Sequence, residues 1–156
     1  MPVGHVVAGA CVVGSDIYIF GGIDDDMDDD GYRLSSVELF SPMSNTCKMV
    51  APMPYSRSHH TAVAVGSEVF VMGGLTNEEC VTDTVIKFDA GEGVWRPVHA
   101  TMPEARFGHA ACAIGTDIYV FGGGDNDCVD QASVFKFDTI AGVWSEVAQM
   151  PRTGND

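Results

Sequence analysis

Short apolar runs that end in glycine recur along this chain, and they alternate with polar turns rather than following a helical period. Three of the runs share one form, a strand with an aromatic residue that ends in a double glycine: Ile17–Gly22, Val69–Gly74 and Ile118–Gly123. The first glycine of each pair lies at position 21, 73 or 122, so the period is 52 and then 49 residues. A repeat period near fifty residues predicts an array of small, similar units.

The residue pattern of each unit predicts four short strands, A to D, and no helix. Met-Pro opens the unit, strand A of small and β-branched residues follows, and strand B carries the double glycine. Strand C reads SVELF, TVIKF or SVFKF. Strand D starts near the residue that lies seven positions after the phenylalanine of strand C. Four-stranded sheets at this period are typical of propeller blades, so the predicted fold is all-β with three blades. The predicted units are 1–52, 53–101 and 102–149, followed by a tail, 150–156, that begins another repeat.

The double glycine predicts an unusual backbone at the end of strand B. Glycine tolerates such angles and lets a neighbouring aromatic side chain approach closely. The six structural glycines are Gly21, Gly22, Gly73, Gly74, Gly122 and Gly123. Trp95 and Trp144 are predicted to fill the gap between sheets, whereas the first unit has Cys47 at that position. Blade 1 is therefore expected to be the least well packed.

Three blades leave an apolar sheet face exposed at each end of the array. Repeat arrays need such ends covered. Two copies could join head to tail in a six-bladed ring, the chain could be a piece of a longer propeller, or the blades could pack in another way. Because closed cyclic dimers are common, we expect a homodimer that completes a six-bladed ring.

Partner binding is predicted at the rim where strand A starts and the B–C loop follows strand B. The B–C loops are Ile23–Leu34, Leu75–Thr82 and Gly124–Gln131. The candidate rim residues are His5, Arg57 and Arg106 at the start of strand A, with Arg33, Asn77 and Asn126 in the loops. Two matched arginines could hold a carboxylate in a bidentate clamp. An equally favoured alternative is that both arginines pair with local carboxylates or blade carbonyls.

The first B–C loop is strongly acidic and has the spacing that opens a calcium loop. Asp26, Asp28 and Asp30 alternate ahead of a glycine, so their carboxylates could converge on one cation. The closing acidic ligand is missing at the required position, so a solvated acidic loop is the favoured interpretation. Apart from this calcium hypothesis, no cofactor is expected.

The net charge of −14 is spread over all three units. This argues against nucleic acid or an anionic membrane as partner, since both need a basic surface. No apolar run is long enough to cross a bilayer, and the chain starts without a recognisable signal peptide, so we expect a cytoplasmic location. No nucleophile elbow, phosphate-binding glycine loop or metalloprotease motif occurs, so an enzyme is not expected.

Taken together, the Gly-Gly strand, the Val-x-x-Phe strand, the tryptophan seven residues later and the following Met-Pro resemble the kelch repeat. The segment SSVELFSPMSNTCKMVAPMP is most similar to the kelch-like substrate adaptors of cullin ubiquitin ligases. That resemblance implies a six-bladed propeller whose rim arginines and B–C loops bind short, often acidic peptides. Arg57 and Arg106 match those arginines, and His5 departs from them. The resemblance also implies structural roles for His60 and His109. The expected function is thus protein–protein interaction, and the alternative is an enzyme or metal site at the ring mouth.

Overall fold

The computed structural model describes residues 5–24, 32–77 and 80–151. These residues form twelve β-strands and no helix, arranged as three four-stranded antiparallel sheets whose strands follow chain order. Blade 1 contains β1 (Gly9–Val13), β2 (Asp16–Phe20), β3 (Val37–Ser41) and β4 (Thr46–Val50). Blade 2 contains β5 (Thr61–Val65), β6 (Glu68–Met72), β7 (Val85–Asp89) and β8 (Val94–Val98). Blade 3 contains β9 (Ala110–Ile114), β10 (Asp117–Phe121), β11 (Ser133–Asp138) and β12 (Val143–Gln149).

The C–D turns show how the sequence closes each sheet locally. Asp89 Oδ1 accepts hydrogen bonds from the amides of Gly91 and Glu92 at 2.9 and 3.0 Å. In blade 3, Asp138 Oδ1 accepts two such bonds within its own turn. An aspartate that bonds to amides two and three residues ahead stabilises a tight turn, so strand C ends at this residue in blades 2 and 3.

The first strands of the three blades converge on one axis. Strand β1 contacts β5, and β5 contacts β9, whereas the fourth strand of each blade lies on the outside with mostly exposed residues. Strand A is therefore the innermost strand of each blade, as in a propeller around a channel.

Two hydrophobic cores lie between the sheets rather than inside them. We call the face of a blade toward the preceding blade its leading face and the opposite one its trailing face. Blade 2 shows the division clearly, because alternating side chains point to opposite faces of a strand. Val69 and Val71 pack in the core with blade 1, and Phe70 and Met72 pack in the core with blade 3.

The predicted all-β fold with three four-stranded blades is confirmed. The prediction about what approaches the double glycine is wrong in detail. A Cβ on Gly21 would lie 2.7 Å from both the Arg57 carbonyl oxygen and the Met53 methyl group, and a Cβ on Gly73 would meet the Arg106 carbonyl at 2.7 Å. Backbone and methionine from the next blade, joined at Gly73 by the His109 ring at 2.8 Å, are thus the nearest groups there rather than a tryptophan.

The tryptophans connect neighbouring blades. Trp95 Nε1 donates to the carbonyl of Ala51 at 2.9 Å, and Trp144 Nε1 donates to the carbonyl of Ala100 at 3.2 Å. The Trp95 ring packs 4.9 Å from the Phe88 ring, measured between centroids. Each indole therefore joins its own strand C to the link that precedes its blade.

The equivalent cysteines of strand A differ in exposure between blades 1 and 3. Cys11 is half-buried, and burial raises its pKa to about 12, while the equivalent Cys112 is exposed. Cys112 is exposed because no described blade covers the trailing face of blade 3. Closure of the ring by a second copy stays a prediction.

Within the described ranges, no helix is long and apolar enough to span a bilayer.

Candidate interaction site

The start of each strand A lies against the start of the B–C loop of the same blade. Antiparallel bridges join Val6 to Ile23, Ser58 to Leu75, and Phe107 to Gly124. This repeated contact brings the start of strand A and the B–C loop to one rim. The rim predicted from the sequence thus exists as a structural surface.

Arg57 and Arg106 do not project from this rim. Their exposed fractions are 2% and 0%. Arg57 Nη1 donates to the carbonyls of Gly73 and Thr84 at 3.1 and 3.0 Å, and its Nη2 donates to Thr84 Oγ1 at 2.7 Å. The guanidinium thereby ties the start of strand A to the end of strand B and the start of strand C.

Arg106 repeats this arrangement in blade 3. Its Nη1 donates to the carbonyls of Gly122 and Ser133 at 3.1 and 2.8 Å, and its Nη2 donates to Ser133 Oγ. The guanidinium also lies over the Phe135 ring, 4.4 Å from the centroid, in cation–π geometry. The interpretation of Arg57 and Arg106 as a surface clamp is corrected, because their Nη atoms bind blade carbonyls and hydroxyls and, for Arg106, also the Glu104 carboxylate at 3.4 Å. The alternative, pairing with blade carbonyls, describes both residues.

Burial lowers the pKa of both arginines. The pKa of Arg57 falls to about 10, and that of Arg106 is lowered mainly by burial, with Glu104 opposing the shift. Both guanidiniums remain charged at neutral pH, since even the lowered value for Arg57 lies well above 7. They therefore act as permanently charged donors inside the blades.

His5 takes the arginine position of blade 1. Its Nδ1 lies 2.5 Å from the Gly21 carbonyl, which corresponds to the Gly73 and Gly122 carbonyls that the arginines bind. Its Nε2 lies 3.3 Å from Glu38 Oε1, and both side chains are buried. His5 is therefore also not a surface group, and the predicted role of its side chain in the rim is corrected for the same reason.

His60 and His109 connect consecutive blades at the innermost strands. His60 Nε2 donates to the Phe20 carbonyl at 2.9 Å, and His109 bonds to the Met72 carbonyl in the same way. Burial, reinforced by the charge of Arg57 or Arg106, lowers the pKa of each imidazole from 6.5 to about 4. Each Nδ1 is buried with no hydrogen-bond partner among the described residues. Both histidines are therefore neutral at physiological pH.

The two imidazoles predict a loss of stability in mild acid. The unfolded chain binds these protons below a pKa near 6.5, but the folded chain binds them only below about 4. Unfolding therefore becomes easier as pH falls from 6.5 toward 4, by about 3 kcal/mol for each histidine once it is fully protonated. Urea unfolding followed across this pH range tests the expectation. The double variant His60→Gln, His109→Gln keeps an N–H donor but does not titrate, so it should lose most of this pH dependence.

Asn77 and Asn126 connect B–C loops of successive blades. Asn77 Oδ1 accepts from the Arg33 amide at 3.2 Å, and Asn126 Oδ1 accepts from the Val81 amide at 3.2 Å. The two bonds occupy equivalent repeat positions and fix neighbouring loops in register. Both asparagines thus lie at the B–C rim, where their side-chain carbonyls support the loops, and their role in partner binding stays a prediction.

A groove lies between the B–C loops of the three blades. It has a volume of about 380 Å³. Its lining comprises Arg33, Leu75, Val81, Phe107, Asp125, Asn126 and Cys128. Arg33 Nε donates to Ser58 Oγ at 2.9 Å, which fixes the guanidinium plane at the edge of the groove. The groove therefore combines an oriented cation with an apolar floor.

Acidic groups lie next to this groove. A neighbouring recess is lined by Glu104, Asp125 and Asp127 together with Ala105, Asn126 and Gln131. Asp125 is already engaged, since its Oδ1 accepts from the amides of Asp127 and Val129 and its Oδ2 accepts from Gln131. The described lining thus has a cation, Arg33, on the side of blade 1 and carboxylates on the side of blade 3, while the blade 1 loop that carries Arg33 is itself acidic in sequence.

The calcium hypothesis falls on residues outside the described ranges, because Asp26, Asp28 and Asp30 lie between 24 and 32. In the part of the chain that is described, no group of three or more His, Cys, Asp or Glu side chains could hold a metal ion.

Sequence reasoning missed several residues that shape the mouth. Phe107 lines the groove and packs edge-on against His59 with ring centroids 6.1 Å apart. Ser58 orients Arg33. Their positions could have indicated this role, since Ser58 and Phe107 each follow one of the two matched arginines and lie at the start of strand A.

Comparison with known proteins identifies the family from the sequence, and a solved structure supports the fold. The sequence model of the KLHDC2/KLHL20/DRC7 Kelch-repeats domain matches residues 2–154. Mouse Kelch-like protein 35 is 36% identical over 63 residues, which cover 40% of this chain and 11% of that protein. Human Kelch-like protein 15 is 27% identical over 82 residues, which cover 51% of this chain and 14% of that protein. The chain thus matches only a small part of the length of these relatives.

A solved structure titled "Structure of YjhT" superposes with a TM-score of 0.83 at 15% identity, covering 93% of this chain and 52% of that one. This likeness supports the fold alone. The family match spans nearly the whole sequence, and the three sheets carry the repeat pattern on which it rests. The chain therefore belongs to the kelch-repeat family.

Proposed function

We propose that this kelch domain is a protein-interaction module that binds a segment of a partner protein in the groove at the B–C rim. The observation that carries the proposal is the position of Arg33. It lines the groove with its guanidinium oriented by Ser58, while Arg57 and Arg106 are buried in blade structure. An oriented arginine beside apolar side chains suits a carboxylate next to an apolar residue.

The charge around the groove adds a second element of specificity. Glu104 and Asp127 lie beside blade 3, so a basic residue of the partner would be favoured there. The expected ligand carries an acidic side chain at Arg33, an apolar side chain over Leu75 and Phe107, and a basic side chain toward blade 3. The Kelch-like relatives support a role in substrate recognition by a ubiquitin-ligase adaptor in the cytoplasm.

Selection from a phage-displayed library of random peptides tests this function. Peptides enriched by the wild-type chain should contain an acidic residue near an apolar one. Arg33→Gln should weaken binding of the best peptide by about 10–100-fold, as expected for loss of one charge-assisted contact of roughly 1.5–3 kcal/mol.

A matched control is Arg96→Gln, since Arg96 is an exposed arginine on the outer strand β8 that pairs with Glu92 at 2.8 Å. It should bind the peptide like wild type. Equal binding by the wild type and Arg33→Gln, with both folded by circular dichroism, would contradict the proposed groove.

A further inference from the structure

Ser58 connects the arginine of the groove to a further side chain, that of His59. Ser58 is fully buried, and its backbone amide and carbonyl both bond to Leu75, so the hydroxyl has a fixed origin. Ser58 Oγ lies 2.9 Å from Arg33 Nε and 3.1 Å from His59 Nδ1. The three side chains therefore form one hydrogen-bonded chain from the groove to the start of strand A.

The chemistry of these groups determines the direction of both hydrogen bonds. A guanidinium only donates, so Arg33 Nε donates to Ser58 Oγ. The Ser58 hydroxyl keeps its own hydrogen for donation, and Nδ1 of an uncharged His59 can accept it. A hydroxyl that accepts on one side and donates on the other is polarised in one sense, which strengthens both bonds. His59 then carries its hydrogen on Nε2.

Two features of His59 suit this role. Burial, followed by the charge of Arg33, lowers the pKa of the imidazole from its usual 6.5, so the ring is uncharged at neutral pH. The ring also packs edge-on against Phe107, which lines the groove, with centroids 6.1 Å apart. The acceptor is thus held in place by a residue of the groove itself.

The hydrogen-bonded chain is not a general feature of the repeat. Ser58 corresponds to Val6 in blade 1 and Phe107 in blade 3, and His59 corresponds to Val7 and Gly108. A hydroxyl followed by an imidazole therefore occurs at these positions in blade 2 alone, beside the loop that carries Arg33. This distinguishes His59 from His60 and His109, which repeat one contact between blades.

We propose that His59 is the positioning residue of the groove: it accepts the hydrogen of the Ser58 hydroxyl and so directs a lone pair of Ser58 Oγ to Arg33. A carboxylate of the partner then meets a guanidinium that is already ordered, and binding avoids the entropic cost of ordering a long side chain. This role rests on the proposed function of the groove, but the order of Arg33 can be measured without a partner.

NMR of the free chain tests the positioning directly. The long-range proton–nitrogen spectrum of the His59 ring should show the hydrogen on Nε2 and none on Nδ1. The Arg33 Nε–H signal should exchange slowly with water, whereas that of Arg96, an exposed arginine, serves as the reference for fast exchange. His59→Phe keeps a ring against Phe107 but has no acceptor, so the Arg33 signal should then exchange as fast as that of Arg96.

His59→Asn is the matched variant, because asparagine Oδ1 is bonded at the same place as histidine Nδ1. The backbone of His59 is left-handed, with φ of 57°, and asparagine adopts that conformation readily. His59→Asn should therefore keep the slow exchange of the Arg33 signal. If strain makes His59→Phe unstable, His59→Gly removes the acceptor with the residue type that blade 3 has at this position.

Affinity for the peptide selected from the random library connects the positioning to function. His59→Phe and His59→Gly should weaken binding about 2–10-fold, the cost of ordering one long side chain, and His59→Asn should bind like wild type. A hydrogen on Nδ1, slow exchange of Arg33 in both variants that lack the acceptor, or His59→Asn behaving like His59→Gly would each overturn the proposal. Fast exchange in those two variants with unchanged peptide affinity would uphold the hydrogen-bonded chain and contradict the function proposed for the groove.

Discussion

Replacing Arg106 with alanine is expected to destabilise the protein strongly rather than simply to remove a surface contact. The side chain is fully buried and donates to the carbonyls of Gly122 and Ser133. Alanine leaves these buried acceptors without a donor and leaves a cavity over Phe135, so the expected loss is about 3–5 kcal/mol. This is a large fraction of the total stability of a typical domain, roughly 5–15 kcal/mol. Urea unfolding monitored by tryptophan fluorescence measures the loss.

Two controls distinguish the buried role from a surface role. Arg106→Lys keeps the charge but not the planar set of donors, so its loss should be intermediate. Arg96→Ala removes an exposed arginine and should change stability by less than about 0.5 kcal/mol. If Arg106→Ala were as stable as Arg96→Ala, the structural role assigned to the buried arginines would be wrong.

Replacing Trp95 with alanine is expected to loosen the junction between blades 1 and 2 by about 3 kcal/mol. The ring packs on Phe88 and Phe20, and its Nε1 donates to the Ala51 carbonyl. Amide hydrogen exchange should increase most at this junction, in strands β2 and β6. Thermal unfolding measures the overall loss.

The conservative variant Trp95→Phe separates packing from hydrogen bonding. It keeps an aromatic ring but loses the N–H donor. Its free energy of unfolding should therefore be only about 1 kcal/mol below that of the wild type. Met43→Ala, at a residue that is 91% exposed, serves as the neutral control. An unchanged melting temperature in Trp95→Ala would contradict the assignment of Trp95 to the blade junction.

Much of the fold could be predicted because the repeat pattern is local. The double glycines, the strand C phenylalanines and the turn glycines recur at one period, and each acts within one blade or its immediate neighbour. Gly21 and Gly73 show this well, since their backbone angles of φ +58° and +64° suit only glycine without strain. Local chemistry of this kind is readable from a single sequence.

The candidate site was harder to predict because exposure depends on contacts between distant residues. Arg57 and Arg106 occupy the rim in sequence register, yet their side chains turn into the blade where carbonyls 16 and 27 residues away accept their hydrogen bonds. Those acceptors are backbone atoms, which carry no sequence signal. Arg33 lies in a less regular loop, and only the assembled blades show that it lines a groove.

The buried pair of His5 and Glu38 has a similar explanation. Blade 1 has histidine where the others have arginine, and Glu38 where strand C of the others has Ile86 or Phe135. The two departures lie 33 positions apart and become a pair only when strand C packs beside the start of strand A. Blade 1 thus differs from the other blades on its leading face.

The most direct test of the proposed mouth is an NMR titration of the chain with the peptide selected from the random library. Binding in the groove predicts the largest amide shift changes at Arg33, Val81, Phe107 and Asn126. The outer strands β4, β8 and β12 should remain unchanged. Shift changes confined to those outer strands, or to the opposite rim at the A–B turns, would contradict the account.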